Sequence, residues 1–213
     1  MTATDTDSAE PATAAPEPAV PTIPRGLSWL YLVGGVIGLI ASFALVIEKL
    51  EKLEHPGYVP TCSINPIISC GSVMDSSQAA LFGFPNPLIG VLAFPVVVTS
   101  GVALLAGFRA PRWYWLGMQL ATTLAVVFIH WLIVQSLYSI GALCPYCMVV
   151  WVVTIALFWY TTVHNFREGH FGSGARPVGV ALGRVHSVVL VVWYLVIVAL
   201  ILARFWDYWV TLV

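Results

Sequence analysis

The sequence predicts an all-α membrane protein with five transmembrane helices. Two features of its composition and one of its pattern carry that prediction. Of the 213 residues, 59% are hydrophobic and only 9% are charged, where a soluble domain carries about 25% charged residues. Mean hydropathy is +0.90. The apolar stretches are continuous and near the roughly 20 residues that a helix needs to cross a bilayer. They do not alternate in segments of about ten residues, as barrel strands do. A net charge of −1 supplies no basic field, which sets nucleic acid aside as a partner.

Residues 1–24 hold five prolines, four acidic residues and no basic one. That composition predicts a disordered cytoplasmic tail. It lacks the basic start and apolar core of a signal peptide. Residues 25–213 form the integral membrane domain. Its spans are expected at about 27–47, 87–106, 113–140, 143–163 and 185–203. The third is longer than one bilayer requires, so it tilts or projects. Gly34, Gly35 and Gly38 in the first span permit close helix packing. Trp113, Tyr114, Trp115, Trp206, Tyr208 and Trp209 sit at span ends and are expected in interfacial belts.

Lysine and arginine set the orientation. With the N-terminus cytoplasmic, the inner side holds Arg25, Arg109, Arg112, Arg167, Arg176 and Arg184. The outer side holds Lys49, Lys52 and Arg204. This distribution favours the N-terminus inside. The connection at about 48–86 and the turn near Gly141 then both lie outside.

The four cysteines form two pairs, Cys62 with Cys70 and Cys144 with Cys147. The topology puts both pairs on the extracytoplasmic side, where disulfides form and persist. Cys144-Pro145-Tyr146-Cys147 begins a helix, the thioredoxin-type redox arrangement. Unpaired N–H groups and the helix dipole stabilise a thiolate there. Pro145 suits the first helical position. No C-x-x-C or H-x-x-x-H partner lies nearby in sequence, so no metal site is expected. Pro60 and Pro66 exclude a long helix before Cys70. Taken alone, the loop pair suits a static staple or a mobile dithiol. A second pair on the same side favours thiol–disulfide exchange.

The Cys-x7-Cys loop, the segment Ser72-Val-Met-Asp-Ser-Ser77, the segment Asn86-Pro-Leu-Ile-Gly90 and the helix-starting CPYC together resemble the bacterial homologues of vitamin K epoxide reductase. The resemblance covers about 27–165 and is to a stand-alone form, without the thioredoxin-like domain many bacterial members carry. It implies a four-helix bundle around a quinone, one additional helix, and an outer loop with a short horizontal helix at about Ser72–Phe82. It further implies that Cys144 and Cys147 are the active-site pair, with Cys147 facing the quinone. Cys70 attacks Cys144, and Cys62 exchanges with the soluble partner. Ser76 and Asn86 match positions that hydrogen-bond the quinone carbonyls or support the cap, and Met74 is placed with them. Trp151, one turn after Cys147, stands where the vertebrate enzyme has tyrosine. That argues against vitamin K epoxide as substrate.

The implied activity is a membrane thiol oxidoreductase of the bacterial cytoplasmic membrane. It uses menaquinone or ubiquinone and reoxidises a separate DsbA-like thioredoxin-fold protein. A DsbB-type oxidase does the same job, but its CxxC comes first in the chain. A haem protein using His130 and His186, or a scaffold with static disulfides, are the alternatives from other classes. Asn86 before Pro87 also suits plain helix capping.

Overall fold

The computed structural model describes residues 25–55 and 57–210; the expected N-terminal tail lies outside them. Five long apolar helices dominate: α1 (Arg25–Glu54), α3 (Pro87–Leu105), α4 (Arg112–Ile140), α5 (Pro145–Glu168) and α6 (Arg176–Arg204). Between α1 and α3 lie the short helix α2 (Cys70–Met74) and a 3₁₀ turn at Ser77–Ala80. The last described element is α7 (Trp206–Val210).

Helix packing runs in an arc, α3 on α1, α1 on α5, α5 on α4, with α6 laid on the outside of α5. Small residues set the closest contact. A Cβ on Gly101 of α3 would lie 2.5 Å from the backbone nitrogen of Leu32, and one on Gly38 of α1 would collide with the Phe94 ring. Without glycine the two backbones could not approach so nearly. Polar pairs fasten the end of the bundle opposite the cysteines. The Tyr31 hydroxyl and Thr161 Oγ1 are 2.5 Å apart, and Asn165 Nδ2 donates to the Trp115 carbonyl and to Gln119 Oε1. Trp115 is buried in this core against His164. It is therefore no belt residue: it faces inward from α4.

The fifth helix is stitched on by side chains rather than buried by them. Trp193 Nε1 donates to His130 Nε2 at 2.9 Å, and His130 Nδ1 bonds the Val126 carbonyl at 2.7 Å. The Tyr194 hydroxyl donates to the Val152 carbonyl, and Arg204 Nε to the Leu137 carbonyl. Both His130 nitrogens are thus engaged within the protein. His186 Nδ1 instead faces the Tyr160 hydroxyl. His130 is a rivet between helices, with no nitrogen left for haem iron.

Most helices outrun their apolar segments. The first continues to Glu54 because Glu48-Lys-Leu-Glu-Lys52 is a strong helix former even where it is no longer apolar. At about 1.5 Å per residue, its 30 residues exceed a 30 Å bilayer core. The fifth starts at Arg176, nine residues before the apolar run at 185, because Gly179 lets it pack on the backbone of Arg167. The horizontal helix expected at about Ser72–Phe82 is two pieces. It breaks at Ser76, whose backbone is extended and whose hydroxyl bonds the Val73 carbonyl. The fourth span begins at Pro145, not 143, because Leu143 is engaged in a β-bridge with Ile68.

Candidate active site

The loop after α1 is shaped by Asn65-Pro66. The Asn65 side-chain oxygen accepts from the backbone N–H of Ile67 and Ile68, a turn that proline then stiffens. The turn delivers Ile67–Ser69 to the residue just ahead of the CxxC. Leu143 N–H donates to the Ile67 carbonyl at 2.7 Å, and Ser69 N–H to the Leu143 carbonyl at 2.9 Å. Ser69 then caps α2 through its side chain. One short backbone ladder therefore fixes Cys70 beside Cys144.

The sulfur geometry follows. Cys62 and Cys70 are joined, with Cα atoms 5.6 Å apart. Cys144 and Cys147 are free thiols. Cys70 Sγ lies 3.1 Å from Cys144 Sγ, and the sulfurs of Cys62, Cys70 and Cys144 all fall within 4.8 Å of one another. Cys144 is the extended N-cap of α5 and Pro145 its first residue, which leaves the thiol at the positive end of the helix. The Cys147 thiol bonds it and pulls its pKa below the ordinary thiol value against the effect of burial; the backbone N–H groups of Cys147 and Tyr146 add to that pull.

Behind the sulfurs is a cavity of about 370 Å³ between α1, α3, α4 and α5. Its wall is largely apolar, including Phe94, Phe128, Ile129 and Leu157. Six residues singled out in the sequence lie on it: Cys144, Cys147, Trp151, Asn86, Ser76 and Met74. Cys62 and Cys70 do not; they meet Cys144 from the other side. The cavity size and lining suit a small aromatic ligand.

The polar groups on that wall are partly committed. Asn86 accepts from Leu81 N–H and donates to the Gln78 carbonyl at 2.7 Å, holding the turn over the cavity. It is not a helix cap, because its backbone is already helical and its side chain turns back to the loop. One N–H and one lone pair of its amide remain. Ser76 spends its single proton on the Val73 carbonyl.

Sequence reasoning missed the groups that hold the cap. Lys49 Nζ donates to the Met74 carbonyl at 3.0 Å. Lys52 Nζ donates to the Gly71 carbonyl and pairs with Asp75 at 2.5 Å. In sequence these lysines read only as topology charges. Their spacing of three, one turn apart on α1, is the signal that could have placed both on one face.

A redox-suited CxxC, a disulfide in contact with it and an apolar cavity behind it are the parts of a thiol relay to a membrane-dissolved acceptor. The vitamin K epoxide reductase family model matches residues 29–162. The chain belongs to this family. No curated protein matches the chain. Membership makes it a multi-pass membrane thiol–disulfide oxidoreductase linked to quinone, and it explains why the CxxC follows the wider pair in the chain. The cavity fits that group by its apolar wall, its free amide valences on Asn86 and the two thiols at its edge.

Proposed function

We propose that this reductase relative runs as an oxidase: it takes electrons from a thioredoxin-fold protein of the DsbA type outside a bacterial cytoplasmic membrane, and so drives disulfide formation in exported proteins. The observation that carries this is the 3.1 Å approach of Cys70 Sγ to Cys144 Sγ at the lip of the quinone-sized cavity. The N-terminus is cytoplasmic and all four cysteines are extracytoplasmic, as the lysine and arginine distribution favours. Residues 25–213 are the membrane domain of that enzyme, after a cytoplasmic tail at 1–24.

The steps balance as exchanges. A partner thiolate attacks Cys62 Sγ, the Cys62–Cys70 bond breaks, and Cys70 leaves as a thiolate. The partner's second thiol resolves the mixed disulfide and Cys62 is released. Cys70 then attacks Cys144 of an oxidised Cys144–Cys147 pair, and Cys147 departs with the electron pair. Cys62 closes on Cys70 and frees Cys144. The loop pair joined and the helix pair reduced is the arrangement that such a sequence would leave. A bound menaquinone or ubiquinone supplies an acceptor of two electrons and two protons. Trp151 and Met74 pack its slot, Asn86 offers its remaining N–H, and Ser76 holds the turn above. Cys147 on the cavity wall is the residue whose thiol returns to the disulfide. The direction is reasonable, since a DsbA-type donor lies near about −120 mV and needs a strong oxidant.

Alkylation of the chain in membranes tests this. Quinone depletion should leave Cys144 and Cys147 reduced, and added quinone should restore their disulfide. If no cysteine changes redox state, the oxidase function is wrong. An alkaline phosphatase fusion at Val59 should be active, and an inactive one would contradict the topology.

A further inference from the structure

The relay has an accessibility problem. Cys62, the proposed entry point for the partner, is only 6% exposed. Its neighbours Thr61 and Ile64 are exposed, so the sulfur is hidden by the way its segment is docked, not by depth. The two ends of the disulfide are held differently. The Cys70 end carries the backbone ladder to Leu143. At the Cys62 end the backbone bonds stay within the loop, from Ser63 N–H to the Pro60 carbonyl and from Ile64 N–H to the Ile68 carbonyl, and the Ser63 hydroxyl accepts from Gly71 N–H. What ties it to the bundle is Glu48 on α1. One carboxylate oxygen accepts from the Tyr58 hydroxyl at 3.0 Å and from Thr61 N–H at 3.2 Å, and the other accepts from the Thr61 hydroxyl.

Glu48 is buried and, among the described residues, has no ion pair. Lysines one and four residues on are committed elsewhere, to the Met74 carbonyl and to Asp75 with the Gly71 carbonyl. A buried carboxylate without a cation is costly unless its hydrogen bonds are complete. All three of its bonds go to the segment 58–61, directly ahead of Cys62. Bonds to a charged acceptor are stronger than neutral ones, yet three at one point can be released together by one hinge of that segment.

We propose that Glu48 is the latch of this relay, a positioning residue: it holds residues 58–62 down so that the disulfide stays docked on Cys144, and its release presents Cys62 to the incoming thiol. This rests on the oxidase function above. The latch also explains the different supports. Cys70 stays in register with Cys144 while the Cys62 end alone swings out.

The test uses the full chain in lipid nanodiscs and reduced glutathione as the attacking thiol. The rate of glutathionylation at Cys62 is followed by mass spectrometry, alongside the methylthiolation rate of Cys144. Glu48→Gln should raise the Cys62 rate by about tenfold, the opening released when bonds to a charged acceptor weaken. The Cys147 thiol is the main pull on the Cys144 pKa, but the Glu48 charge holds that pKa up. The Cys144 control is therefore read in a second variant that keeps the carboxylate, where the Cys144 rate should not change. Tyr58→Phe combined with Thr61→Val leaves the carboxylate in place and should act in the same direction, less strongly; it decides the matter where Glu48→Gln does not fold. Equal Cys62 rates in wild type and variants would overturn the latch, as would Cys62 and Cys144 rates rising together in the double variant, which is loss of local structure. If wild-type Cys144 and Cys147 ignore the quinone pool, the oxidase function fails and the latch with it. If they respond and the variants match wild type, only the latch fails.

Discussion

In the proposed relay the two cysteine pairs do the same chemistry on opposite kinds of support. Cys144 caps a 24-residue helix and Cys147 sits in its first turn, packed into the bundle and poised by a dipole. Cys62 sits on an irregular loop and Cys70 at the start of the short helix α2, held by a two-bond ladder at one end and a carboxylate at the other. The difference teaches how a relay can be both aligned and open. The pair that faces the cavity needs fixed geometry, because a small misplacement costs heavily in rate. The pair proposed to meet a soluble partner must move, and loops are where motion is cheap.

The largest effects should come from the cysteines themselves. Cys147→Ala should reduce donor oxidation below detection, and Cys62→Ser should do the same. The comparison separates them: alkylation should find the Cys144–Cys147 disulfide still restored by quinone in Cys62→Ser. A helix pair that stays reduced there would mean the two pairs are one inseparable unit.

Next is the ladder. Leu143→Pro removes the N–H that bonds the Ile67 carbonyl and should slow exchange between the pairs by about 10- to 100-fold, since alignment of the reacting atoms is lost. Single-turnover oxidation of the loop pair measures it. An unchanged rate would show that packing alone aligns Cys70.

A smaller effect concerns pH. The Cys144 thiolate is present above its pKa and lost as pH falls through it, and that pKa is pulled down mainly by the Cys147 thiol. In reduced protein, methylthiolation of wild-type Cys144 should therefore persist to lower pH than for an ordinary thiol. Cys147→Ala should move the profile upward. A profile that does not move would assign the low pKa to the helix end instead.

The smallest effects lie in the cap. Asn86→Ala breaks two bonds that hold the turn over the cavity and should cost about 1–2 kcal/mol in thermal unfolding. Lys52→Ala removes a pair whose acid is largely exposed and should cost about 0.5 kcal/mol or less. A larger loss there would make the cap a stiffer lid than the loop it adjoins.

What could be read from sequence follows the same division. Apolar runs located all five spans, and the helix-end position of CPYC was legible because capping chemistry is local. Helix ends were less so: hydropathy marks where a helix meets lipid, not where hydrogen bonding stops, so Glu54 and Arg176 were missed. The ladder at Leu143 was invisible, because one leucine pairing with one isoleucine has no periodicity. Glu48 looked like a juxtamembrane charge until its partners were brought to it by the turn at 57–61. Asn86 looked like a cap by spacing, and only the fold reveals that half of its amide capacity goes to Gln78 and Leu81.

The central claim is that Cys70 and Cys144 exchange directly. Cys147→Ser tests it most simply. With its own partner gone, the Cys144 thiolate should attack Cys70, break the Cys62–Cys70 bond and release Cys62, with no net oxidation. Alkylation followed by non-reducing peptide mapping should find a Cys70–Cys144 disulfide and a blocked Cys62. Recovery of Cys62–Cys70 alone, with Cys144 alkylated throughout, would contradict the account.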